Sequence, residues 1–182
     1  MGKIFSFLMT SADGYHEGPN RELDFHNVDA EFEDYTVANL TEAEALLFGR
    51  FTFDRLSEFW QSDAAWRDAP VSTERMNGLP KYLVSSTTTN ADWPTTHIVG
   101  FDALAKLRQD TDVMACGSSQ LVAGLLTAGL LDELRLMVNP VVLGAGRPVL
   151  AGADRSSLTH VSTRTFKNGN VLITYHPKSQ AG

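Results

Sequence analysis

Apolar residues fall in short unbroken runs along much of this chain, each followed by a bend rich in glycine or hydroxyls and then by apolar residues at helical spacing. Such runs suit strands covered on both faces by helices. The fullest instance lies in residues 112–150. There Val113-Met114-Ala115-Cys116 reads as a buried strand closing on Gly117, Ser118 and Ser119, and Leu121, Val122, Leu125 and Leu126 mark one helix face before Gly129 stops it. Ser118 or Ser119 is expected to cap that helix. A helix start at the carboxyl edge of a sheet presents N–H groups to an anion. By itself the turn is also a plain strand-to-helix connection, because neither GxGxxG nor GxxxxGK[ST] is present.

The same grammar organises the rest. Residues 3–10 read as a central strand, followed by the turn Ser11-Ala12-Asp13-Gly14-Tyr15, in which Asp13 can bond its own backbone. Residues 17–27 form a polar loop long enough to cover a site, with Asp24 and Phe25 inside it. A helix begins near Asp29 and Glu31 and carries Phe32 and Tyr35. After a strand at 43–48, Gly49-Arg50-Phe51-Thr52-Phe53 opens a helix with Phe53, Leu56 and Trp60 on one face, and Arg50 is placed to clamp a phosphate. Residues 61–78 look like a peripheral excursion with a short helix near Pro70. A strand at 81–86 ends in Ser85-Ser86-Thr87-Thr88-Thr89, hydroxyls suited either to loop backbone or to ribose and phosphate oxygens. A short strand at 97–99 precedes a helix striped by Phe101, Leu104 and Leu107. A long strand at 133–142 and a flexible turn at 144–148 lead to a hairpin, 158–166 and 170–176, joined by Lys167-Asn168-Gly169-Asn170. Repeated βα units with this finish predict one domain over 1–182: a three-layer α/β/α fold with a mostly parallel central sheet and an antiparallel C-terminal hairpin.

Composition narrows the function. With 43% apolar and 20% charged residues the chain is ordinary for a globular protein. A net charge of −7 speaks against nucleic acid and anionic membrane as partners, so an anionic cofactor must be held by local dipoles and a few cations. No apolar run approaches the ~18 residues of a membrane span, and the start lacks a signal-peptide layout. Met1-Gly2 with Ser6 formally fits a myristoylation pattern, but residues 4–9 read as a buried strand. A single cysteine, Cys116, makes a reducing cytoplasm the expected location; it reads as a small buried strand residue, with a nucleophilic role as the alternative. The five histidines are scattered, so no metal site is expected.

In this order the segments Ser11-Ala12-Asp13-Gly14-Tyr15, Leu47-Phe48-Gly49-Arg50-Phe51-Thr52-Phe53, Met76-Asn77-Gly78-Leu79-Pro80-Lys81-Tyr82-Leu83-Val84-Ser85, Gly117-Ser118-Ser119-Gln120-Leu121 and Pro140-Val141-Val142-Leu143-Gly144-Ala145-Gly146-Arg147-Pro148 resemble the dihydrofolate reductase superfamily. They are most similar to its bacterial branch related to the C-terminal reductase domain of riboflavin biosynthesis enzymes. The resemblance implies NADPH lying across the carboxyl ends of the strands. It implies Gly49, Arg50 and Thr52 on the phosphates, Ser85 and Ser86 near the adenosine, and Gly117, Ser118, Ser119, Gln120 and Leu121 around the pyrophosphate. Where the family commonly has two glycines this chain has Gly117-Ser118, and a serine Cβ crowds a phosphate approach. Asp13 is expected at the substrate or nicotinamide edge and Asp24 in substrate binding or proton delivery. The acid of true dihydrofolate reductases has no match, so folate is not the expected substrate. The resemblance thus implies an NADPH-dependent reductase of a small pterin-like, pyrimidine-like or other heterocycle. It is expected to be a homodimer through the apolar run 130–143 beside a sheet edge. The alternatives are a nucleotide-binding module without turnover and a structural dimer without a ligand.

Overall fold

In the computed structural model, which describes residues 2–178, the first strand becomes the centre of the sheet. β1 (Ile4–Ser11) lies between β6 (Val113–Cys116) and β7 (Glu133–Asn139), parallel to both. Beyond β6 follow β3 (Ala45–Gly49), β4 (Lys81–Val84) and β5 (Thr96–Val99), all parallel. Beyond β7 come the antiparallel β10 (Val171–Pro177) and β9 (Leu158–Thr165). The sheet therefore runs β5-β4-β3-β6-β1-β7-β10-β9, a mostly parallel sheet with an antiparallel finish.

Successive β1 side chains point to opposite faces, and each face has its own helical layer. Ile4 and Leu8 pack with Leu121, Val122 and Leu125 of α6 (Ser119–Thr127) and with Leu104 of α5 (Leu104–Asp110). Phe5 packs on the other face with Leu40 of α1 (Ala30–Glu42) and with Phe53 of α2 (Arg50–Trp60). Across the amino edge of the sheet, Arg135 bonds Glu42 at 2.8 Å and Glu133 at 2.5 Å, its guanidinium 4.2 Å from the Phe5 ring centre. Among the described residues no helix is long and apolar enough to cross a membrane.

Three expectations change. Residues 61–78 are not peripheral: they form α3 (Asp63–Asp68) and α4 (Pro70–Gly78), with Ala65, Ser72, Thr73 and Met76 buried. Pro70 begins α4 where its missing N–H costs nothing. The turn at 144–148 is partly ordered, because β8 (Arg147–Pro148) pairs with β2 (Tyr15–Glu17). A Cβ at Gly146 would collide with the Glu17 carbonyl, so glycine permits this ribbon. Finally, β7 is interior to the sheet, and the edges are β5 and β9. β1 and β10 pair with β7 on either side, so the run 133–139 is not an edge, and β7 ends at Asn139 before Pro140.

Lys81, wholly buried at the start of β4, organises the far side. Its ammonium donates to the carbonyls of Asn77 (2.9 Å), Leu79 (2.8 Å) and Pro94 (3.2 Å) and lies 4.8 Å from the Trp93 ring centre. Burial pushes its pKa down to about 8, which leaves it a cation at neutral pH. Replacing Lys81 by Met strands these buried acceptors; the expected loss is about 1–3 kcal/mol, read as a lowered urea midpoint with an unchanged m-value.

Candidate active site

β3 and β6 are adjacent, with Leu46 opposite Met114, so their carboxyl ends deliver Gly49 and Gly117 side by side. Gly117 takes a left-handed φ of +56°, and a Cβ there would also press on Thr52 at 3.3 Å. The serines that follow do not cap α6, contrary to expectation. Ser118 Oγ accepts the Gly49 N–H at 2.9 Å, and Ser119 Oγ accepts the Leu150 N–H at 2.7 Å. Both hydroxyls are drawn to tertiary donors, so α6 is left without a side-chain cap, and α2 has none because its N-cap is Gly49. Two helix starts without side-chain caps thus border one groove of 210 Å³, also lined by Arg21, Arg50 and Arg147.

Gly49, Arg50, Thr52, Ser118, Ser119, Gln120 and Leu121 all line this groove, and Gly117 lines the cavity next to it. Arg50 Nε donates to Asp54 at 2.7 Å and Nη1 to Thr88 Oγ1 at 2.6 Å. Ser85 Oγ accepts from the amides of Thr87 and Thr88, so Ser85 shapes the hydroxyl turn that Arg50 touches. Neither Ser85 nor Ser86 lines the groove itself.

The neighbouring cavity, 680 Å³, is walled by apolar side chains such as Phe7, Phe32, Leu40, Leu56, Trp60 and Met114. His16, Glu17, Phe51 and Thr52 line both spaces, so the groove opens into the cavity. At that junction Arg21 lies over the Phe51 ring at 4.0 Å and its carbonyl accepts from Arg55 at 2.8 Å. Glu33 enters the cavity wall from α1, one carboxylate oxygen accepting from buried Ser72 at 2.5 Å. Asp29 is the N-cap of α1 and accepts from the Phe32 N–H. Burial holds His26 down at about 4, helped by the charges of His16 and Arg55, so it is neutral at pH 7. Burial likewise pushes the Cys116 thiol upward, which removes the nucleophilic alternative for that residue.

The two predicted acids stand elsewhere. Asp13 accepts from Ser11 Oγ (2.7 Å) and from the amides of Leu143 (3.1 Å) and Gly144 (2.8 Å), staples the 140s loop to the β1–β2 turn, and lines neither space. The Ser11 bond leads in holding its pKa at about 2. Asp24 is exposed and lines neither space. Sequence reasoning passes over His16, Glu17, Arg21, Glu33 and Arg147. For Glu33 a signal exists: it shares a helix face with Phe32, Thr36 and Leu40, an acid on an apolar stripe. Among the described residues no group of three or more His, Cys, Asp or Glu is arranged to hold a metal ion.

The family model of the RibD C-terminal domain matches residues 2–172. YyaP of Bacillus subtilis strain 168, an uncharacterized protein, is 30% identical over 181 residues, covering 96% of this chain and 94% of its own. Among solved structures, a Shewanella sp. PV-4 protein provisionally assigned to riboflavin biosynthesis superposes with a TM-score of 0.75 at 23% identity, over 97% of this chain and 99% of that one. Dihydrofolate reductase from Enterococcus faecalis, solved with NADP(H), superposes with a TM-score of 0.64 at 15% identity, over 98% of both chains. At these identities the two structures establish the shared fold.

Two acid-range effects are expected in urea titrations at fixed pH. His26 binds its proton less readily folded (about 4) than unfolded (6.5), so stability is lost as pH falls through that window. His26→Gln removes this slope. Asp13 is depressed from 3.8 to about 2, so its contribution is lost only below that first value, and Asp13→Asn removes it.

Proposed function

Because this chain belongs to the family of RibD C-terminal domains, we propose that it is an NADPH-dependent reductase of a small heterocyclic substrate. One observation carries the reading: an amide-bordered groove rimmed by arginines opens directly into an apolar cavity at the carboxyl edge of a parallel sheet. The groove suits a pyrophosphate, and the cavity suits a flat ring.

In this reading the cofactor's phosphates meet the helix starts at Gly49 and Ser118, with Arg50, Thr52, Ser119, Gln120 and Leu121 beside them. Gly117 gives the close turn, while Ser85 and Ser86 act on the adenosine side through the Thr88 turn that Arg50 grips. Bound NADPH supplies a hydride to a C=N or C=O carbon of the substrate. The protein's work is to hold the ring and exclude water, with Phe7, Phe32 and Trp60 as walls. The accompanying proton reaches the substrate nitrogen or oxygen from water held by the Glu33 carboxylate, through the oxygen that Ser72 does not occupy. Asp13 supports the loops beside this site by holding the 140s loop to the β1–β2 turn.

A second reading, nucleotide binding without turnover, is favoured by the position of the two predicted acids: Asp13 and Asp24 line neither the groove nor the cavity. We also place the protein in the cytoplasm as a homodimer, in which a second copy covers Leu136, Val138, Val171 and Ile173, half-buried residues that pair across β7 and β10.

Titration of nicotinamide fluorescence is expected to show saturable NADPH binding, weakened about tenfold or more in Arg50→Ala. Absence of binding would sink both readings. Glu33→Gln is expected to keep NADPH affinity and lower kcat by about a hundredfold. Binding without oxidation across a panel of dihydropterins and diaminopyrimidine ribosides leaves the module reading standing. Light scattering is expected to give twice the 19.9 kDa chain mass.

A further inference from the structure

The charges around the two connected spaces are of opposite sign. Arg21, Arg50 and Arg147 stand on the groove, whereas the cavity is bordered by Asp29, Glu33 and Asp68, with Glu17 at the junction. Asp68 is bonded by Arg67 and Glu17 lies 3.6 Å from Arg147, but Asp29 and Glu33 have no cation within salt-bridge distance among the described residues. Arg55 is the one lysine or arginine on the cavity among the described residues, and its Nη1 is committed to the Arg21 carbonyl.

Backbone dipoles repeat the division. The helix starts at the groove lack side-chain caps, whereas the start of α1, which faces the cavity, is filled by the carboxylate of Asp29. The other helix start at the cavity, that of α4, follows Asp68 and opens with Pro70, which has no N–H to offer. A phosphate in the cavity would therefore find carboxylates and apolar walls where the groove offers amides and guanidiniums.

We propose that the cavity takes a flat, uncharged or cationic heterocycle that carries no phosphate. This deepens the reductase reading by naming its substrate class. The phosphate-binding capacity of the molecule is concentrated in the groove, and a substrate bearing a phosphorylated sugar is rejected by Asp29 and Glu33 rather than merely left unaided.

The test compares neopterin with neopterin 3′-phosphate, two probes that share a ring and differ in one phosphate. Quenching of Trp60, which lines the cavity and not the groove, reports binding, with Trp60→Phe to identify its signal. Neopterin is expected to bind about tenfold or more tightly than its ester. The double variant Asp29→Asn, Glu33→Gln keeps a competent N-cap and is expected to bring the ratio to within about threefold. Equal or tighter binding of the ester to the parent protein, a ratio unmoved by the double variant, or quenching by neither probe overturns the proposal. NADPH binding is followed separately by nicotinamide fluorescence, so its failure strikes the reductase reading while the probe ratio still judges the cavity.

Discussion

The site depends on one hydroxyl. Ser118 Oγ accepts the amide proton of Gly49, 69 positions away, and thereby locks the end of β3 to the end of β6. Ser119 repeats the device with Leu150, which holds the 147–151 segment, and Arg147 with it, against the same rim. Ser118 gives up the local role its position favours, capping α6, for a contact that only the folded sheet offers. The start of α6 consequently reaches the groove without a side-chain cap, and the start of α2, led by Gly49, has none to begin with. Local propensity and tertiary need conflict here, and conflicts of this kind gather at functional sites.

Charge obeys the same constraint. On a chain of net charge −7 any anion would have to be held by local arrangement, and the arginines at the groove come from separate segments: the 18–27 loop, the start of α2 and β8. Arg21 is further fixed by its contact with Phe51, at the boundary between the cationic groove and the acidic cavity. The boundary is short because His16, Glu17, Phe51 and Thr52 belong to both sides. A ligand spanning it would meet favourable surroundings for its anionic part on one side and for its apolar part on the other.

Much of this is legible in the residues themselves. Unbroken apolar runs mark the parallel strands, glycine-led bends mark both helix starts, and Asn168-Gly169 marks the hairpin, because each signal is confined to a few adjacent positions. The α3–α4 segment reads as peripheral because its buried face is built from Ala65, Ser72 and Thr73, small or polar side chains that carry little hydrophobic signal, with Met76 the one large apolar residue among them. The β7 run reads as an edge because an interior strand and an interface strand show the same apolar pattern, and only strand order separates them. Asp13 suggests a site role because an acid in a turn beside a strand end looks available, yet its oxygens are occupied by Ser11, Leu143 and Gly144. The cavity lining is least legible of all, since Glu33, Arg55, Trp60 and Met114 meet only after separate elements have packed.

The order of strands also bears on how the chain is made. β1 emerges first, yet its sheet neighbours are β6 and β7, so Ile4 waits for Val113 and Phe5 for Glu133. Until Val113 has left the ribosome, this central strand has no ladder to join, and the pairings that complete it close long loops. During synthesis this apolar segment must be sheltered by its own nascent helices or by a chaperone. A cleft built at the junction of early and late strands is the last part of the molecule to take shape.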